Sequence, residues 1–213
     1  MGQGLPADPA YGSAEWWEDR YRSGDIPWDT GIVPPEVEAL IASGQVARGW
    51  ALDLGCGSGL SSRYLAQHGF RVIGIDLAQS ALARGQRAAR ASSLPAFFCR
   101  GDVSALDFLK VRATLALDVG CFHALPLERR PWYVASLARH LVAGAFYLLY
   151  AFEPFLRAGE DAPRGVGPAD IGRFAPYFIL RWAQHGRDGE RLAAWYLFQR
   201  SRAAVDPGPS RPA

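Results

Sequence analysis

The segment Ala51-Leu52-Asp53-Leu54-Gly55-Cys56-Gly57-Ser58-Gly59 constrains the fold more than any other stretch of the chain. An apolar run with the length of a buried strand ends in Asp53 and Leu54, and glycines then alternate until a helical pattern starts at Leu60. Glycines in such a turn admit positive φ and let a ligand approach the backbone closely. The start of the following helix offers free N–H groups to a carboxylate. Three ligand-binding patterns compete for this turn. A phosphate-binding P-loop needs a Lys after its last Gly, and none follows here. The dinucleotide pattern matches at Gly55 and Gly57, but Leu60 stands at its third glycine. The remaining pattern, acid-x-Gly-x-Gly-x-Gly, suits a ligand with a charged amino-acid end and no pyrophosphate. Asp53 can reach the ammonium of such a ligand directly or through water, with Cys56 and Ser58 in the same turn as further contacts.

The rest of the chain supplies the frame for this turn. Ser13 is placed to cap a helix running to about Tyr21, and Pro34-Pro35 opens a second to about Ala42. Strands are expected over Trp50–Leu54, Phe70–Ile75, Ala96–Arg100, Thr114–Asp118 and Ala145–Ala151. Helices are expected over Leu60–His68, Gln79–Ala91 and Leu127–Leu141, where Pro131 is tolerable only near the first turn. A Gly- and Pro-rich loop covers Pro154–Ala169, and a short helix is expected near Pro168. Two last strands, Ile179–Gln184 and Leu192–Arg200, flank Arg187-Asp188-Gly189-Glu190, a hairpin signal. The alternation predicts an α/β, Rossmann-like, doubly wound mixed sheet of seven strands, with one antiparallel strand contributed by the hairpin. Residues 13–201 are expected to form a single domain, in which 13–45 are a helical cover over a core at 46–201. Residues 1–12 and 202–213 are expected to be disordered, the last of them because of repeated Pro and Gly.

Further acids fall where strands end. Val72-Ile73-Gly74-Ile75-Asp76 closes the second strand with a carboxylate, the place where doubly wound folds bind ribose hydroxyls, and Leu77 follows it. Asp102 and Val103 follow the third strand, an acid to accept from an adenine amino group and an apolar side chain to pack on the ring. Asp118 ends the fourth strand, with Gly120 just after it. Because ligands bind at the carboxyl ends of strands, Asp53, Asp76, Asp102 and Asp118 are expected to face one crevice.

Composition narrows the partners. The 213 residues carry a net charge of only +2, with Arg scattered among acids, so no nucleic-acid or membrane partner is expected. There is no leader-like apolar segment near Met1 and no apolar run of spanning length. Cys56, Cys99 and Cys121 form neither a CxxC pair nor a metal-ligand spacing, so no metal is expected and a cytoplasmic setting is natural. A monomer is the default expectation, with a homodimer open.

Nearly all of residues 13–201 resembles the class I methyltransferases that use S-adenosylmethionine and release S-adenosylhomocysteine. The entry segment Trp16-Trp17-Glu18-Asp19-Arg20-Tyr21, with Gly24 and Ile26-Pro27-Trp28-Asp29-Thr30-Gly31 after it, looks like that of thiopurine, halide/thiol and tellurite-resistance methyltransferases. The resemblance implies that Trp17, Tyr21 and Trp28 line the site near the methionine end, where aromatic faces attract the sulfonium. One of Trp16 and Trp17 is expected to be core, since helix neighbours point in different directions. The resemblance implies a small-molecule acceptor, with a soft thiol, halide or metalloid nucleophile as the first expectation; Phe152, Phe155 and Phe174, near the Pro154–Ala169 loop, are candidates either for a small aromatic acceptor wall or for the core. One departure from the thiopurine pattern is Val119, where those enzymes carry an Arg. Were the acceptor a hydroxyl or protonated amine of a natural product, His123 is the candidate general base. A cofactor-binding protein without transfer activity and an NAD-dependent oxidoreductase are the competing classes.

Overall fold

The computed structural model describes residues 10–156 and 164–203. Most of the two segments expected to be disordered, and part of the Pro154–Ala169 loop, lie outside the described residues. The strands are β1 Trp50–Leu54, β2 Arg71–Asp76, β3 Ala96–Arg100, β4 Ala113–Val119, β5 Leu141–Phe152, β6 Phe178–Asp188 and β7 Arg191–Arg200. They form one sheet in the order β3-β2-β1-β4-β5-β7-β6. β1 to β5 pair in parallel, and β7 runs antiparallel between β5 and β6. The central strands are buried on both faces, which is why they read as unbroken apolar runs.

The helices are α1 Ala14–Ser23, α2 Pro35–Ala42, α3 Leu60–Gln67, α4 Gln79–Ala91, α5 Arg130–His140 and α6 Pro168–Gly172. Ser13 caps α1 as expected, its Oγ accepting from the N–H of Trp16 at 3.1 Å. Gly24 ends that helix at φ +81. Two cores flank the sheet. Leu65 and Ala66 of α3 and Ala89 of α4 pack with Ala51, Val72 and Leu115 on one side. Tyr133 and Leu137 of α5 pack with Leu52, Tyr147 and Phe198 on the other.

The expected Leu127–Leu141 helix divides. Leu127–Arg129 is a 3₁₀ turn, and α5 begins at Arg130 with Pro131 in its first turn, where the missing N–H costs nothing. β5 starts directly at Leu141, earlier than the apolar run suggests, with Gly144 at φ +84 and a register shift against β4. The hairpin turns on Gly189-Glu190 between paired Asp188 and Arg191, with Gly189 at φ +58.

Candidate active site

A cleft of about 1090 Å³ opens along the carboxyl ends of β1, β2 and β4 and beneath α1. This is the upper end of ligand-pocket sizes. Its first half is the glycine turn. Gly55, Gly57 and Gly59 all take positive φ, at +70, +53 and +74. Gly55 and Cys56 donate their N–H groups to the carbonyl of Ile75, which locks the turn to β2. A Cβ on Gly57 would meet the Tyr21 hydroxyl at 2.4 Å, so the turn and the lid touch there. Gly59 differs from expectation. It does not line the cleft, and a Cβ there would strike the Phe98 ring at 2.3 Å. Phe98 also packs against Gly74 and Gly85, so these glycines serve close packing of α3 and α4 on the sheet.

The four acids part company. Asp53 lines the cleft and is 3 % exposed, its carboxylate accepting from Ser62 Oγ of α3 at 2.5 Å. Burial pushes its pKa up to about 6, against the lowering effect of the Ser62 bond. Asp76 also lines the cleft, and each of its oxygens accepts a backbone N–H at 2.9 Å, from Gly57 and from Ala78. Burial raises its pKa too. Asp102 borders the cleft beside Val103 and is braced by Ser104 at 2.6 Å and Arg129 at 2.8 Å. Asp118 does not face the crevice. It is fully buried and accepts from the N–H groups of Cys121 and Phe122 and from the Tyr133 hydroxyl at 2.6 Å, with Tyr147 beyond. The turn after β4 needs acceptors for its free N–H groups, and Asp118 supplies them. Burial pushes its pKa up to about 7. Gly120, at φ +93, and Cys121 carry this part of the chain into the cleft wall.

The lid is aromatic. Trp17 and Trp28 meet edge to face at 5.4 Å, and the Trp28 Nε1–H donates to the Tyr21 hydroxyl at 3.1 Å. Trp16 lies 4.7 Å from Trp17 and also lines the cleft, so neither member of the pair is a purely core side chain. Two contacts that sequence reading missed hold this lid. The Glu18 carboxylate accepts from the N–H and hydroxyl of Ser80 in the first turn of α4. Arg84 donates to the carbonyl of Tyr21 at 2.6 Å. Partners more than sixty positions apart leave no local signal.

The second half of the cleft is walled by Tyr150, Phe152, Phe155 and Trp195, with His123 at its base. Phe174 is fully buried instead, stacked 4.7 Å from Phe198. His123 Nδ1 accepts the backbone N–H of Phe152 at 3.2 Å, and the two rings lie 4.8 Å apart. Burial, with the Arg130 and Arg191 charges nearby, pushes its pKa down to about 4. The imidazole is therefore neutral at pH 7, its one lone pair is used by Phe152, and its proton sits on Nε2. Arg130 holds this turn by donating to the carbonyls of Leu125 and His123, and pairs with Asp170 at 2.6 Å.

The chain's likeness to known proteins falls on the same elements. A methyltransferase-domain family model matches residues 51–144, from β1 into β5. A 2-heptyl-1-hydroxyquinolin-4(1H)-one methyltransferase of Mycobacteroides abscessus is 35% identical over 148 residues, 68% of this chain and 64% of that enzyme's length. The match thus spans a little under two thirds of that relative. An uncharacterised methyltransferase of Schizosaccharomyces pombe is 31% identical over 101 residues, 47% of this chain and 70% of the relative. Among solved structures, a Burkholderia thailandensis 1,6-didemethyltoxoflavin-N1-methyltransferase with bound S-adenosylhomocysteine superposes with a TM-score of 0.74 at 19% identity, covering 92% of this chain and 94% of the other.

Proposed function

Because the chain belongs to the class I S-adenosylmethionine-dependent methyltransferases, we propose that it methylates a small acceptor that enters the cleft already as an anion. Thiols, halides and metalloid anions are the first class to try, and an acidic hydroxyl qualifies on the same chemistry. The residues present fit the cofactor. Gly55 and Gly57 line the cleft with backbone at positive φ, Asp53 suits its ammonium, and Asp76 and Asp102 stand ready for its ribose and adenine. Trp17, Tyr21 and Trp28 would cover its sulfonium end. When bound, it supplies a methyl carbon activated by a positive sulfur, which an acceptor lone pair displaces in line.

The chain's own part is alignment and exclusion of water, for which the aromatic lid and the Phe152 wall are suited. The observation that carries the anionic reading is the His123–Phe152 bond. A ring whose lone pair is committed cannot take the acceptor's proton, but its Nε2–H can donate to an acceptor anion. This departs from the general-base expectation for His123. The test is His123→Gln, which keeps a side-chain N–H and removes the imidazole. With a thiol acceptor at pH 8, kcat should stay within about fivefold; a loss of roughly a hundredfold or more is what a general base would show.

A further inference from the structure

We propose that His123, Phe152, Phe155 and Arg191 form an acceptor subsite built for a planar aromatic anion, with Arg191 as its specificity-determining cation. This rests on the anionic-acceptor reading above and names the class of acceptor.

Phe152 and Phe155 meet edge to face with centroids 6.0 Å apart, and the Arg191 guanidinium lies 5.0 Å from each. A guanidinium stacked on rings keeps its edge N–H groups for an oxygen or sulfur anion. Among the described residues Arg191 has no ion pair. The nearby carboxylates have other partners: Asp188 accepts the Tyr150 hydroxyl at 2.8 Å, and Glu153 meets His185 Nδ1 at 2.6 Å. The aromatic wall continues through Tyr150, 5.8 Å from Phe152, to Trp195, 5.0 Å from Tyr150.

A bare halide or metalloid oxyanion would gain the Arg191 charge and the His123 Nε2–H but would leave the ring faces unused. A flat aromatic anion uses both kinds of surface: its ring packs on the aromatic wall while its charge meets Arg191.

The test is equilibrium binding, independent of turnover. 4-Nitrophenolate and its neutral methyl ether, 4-nitroanisole, are titrated calorimetrically into the full chain saturated with S-adenosylhomocysteine. The phenolate should bind at least roughly tenfold tighter than the ether. Arg191→Met should erase that preference while S-adenosylhomocysteine still binds, and Arg191→Lys should keep part of it. Excess iodide should not displace the phenolate. The proposal is overturned if the phenolate does not bind, if Arg191→Met keeps the full preference, or if iodide competes on equal terms. Failure to methylate any acceptor would instead count against the transfer reading, since this measurement involves no chemistry.

Discussion

Asp53 and Asp118 lie in adjacent strands, but Asp118 is in register with Leu54, so the two acids point to opposite faces of the sheet and have different work. Both are buried, both are pushed up in pKa by that burial, and Asp53 alone opens onto the cleft. If Asp53 holds the cofactor's ammonium as proposed, it couples cofactor binding to pH. A cationic ligand favours the carboxylate over the acid, so binding draws its pKa down from about 6, against the like charge of Asp76. Affinity should be highest above that value and fall as the pH drops through it, by about tenfold between pH 7 and pH 5. Calorimetry with S-adenosylhomocysteine across that range measures this, and Asp53→Asn should give a weaker, flat profile. A wild-type profile that is flat as well would take Asp53 out of the binding site. Gly55, Gly57, Asp53 and Asp76 were legible in the sequence because strand, turn and acid are close in the chain. The inward turn of Asp118 was not, since it depends on Tyr133 of α5 and on N–H groups of a turn that only the fold defines. Gly59 misled for the same reason: besides its positive φ, it is glycine to make room for Phe98, thirty-nine positions away.

At the scale of elements, the cover at α1 is joined to α4 more than to the sheet. Glu18 caps α4 at Ser80, Arg84 reaches back to the Tyr21 carbonyl, and Tyr21 closes on Gly57. These polar contacts are few and partly exposed, so we expect α1 to open at lower cost than the sheet. Glu18→Ala should raise hydrogen exchange across residues 14–23 by roughly tenfold and speed release of S-adenosylhomocysteine, with little change in melting temperature. Unchanged exchange in α1 would mean that the Glu18–Ser80 contact does not hold it. The helix itself was readable from Ser13 and the apolar spacing, and Gly24 closes it where the left-handed conformation is needed. Its docking partner was not readable, because a carboxylate in a polar run looks solvated until the fold brings Ser80 to it.

Across the whole molecule, the alternation of apolar runs and helices sufficed for the seven-stranded mixed sheet, and the Asp-Gly turn for its antiparallel strand. The boundaries of β5, β6 and α5 shifted because α5 passes into β5 without a loop and the hairpin runs on beyond its apolar centre. Neither feature carries a turn residue to mark it. The sheet gathers the glycine turn, Asp76 and Asp102 at one edge of the cleft and the Phe152 wall at the other, under the α1 lid. We expect this cleft to take S-adenosylmethionine, and calorimetric titration of the full chain with S-adenosylmethionine, S-adenosylhomocysteine and NAD, beside an Asp76→Ala variant, measures that binding. The first two ligands should bind at one site per chain with micromolar affinity, at least roughly tenfold weaker in the variant, and NAD should not bind. Binding of NAD alone, or of none of the three, would contradict that expectation.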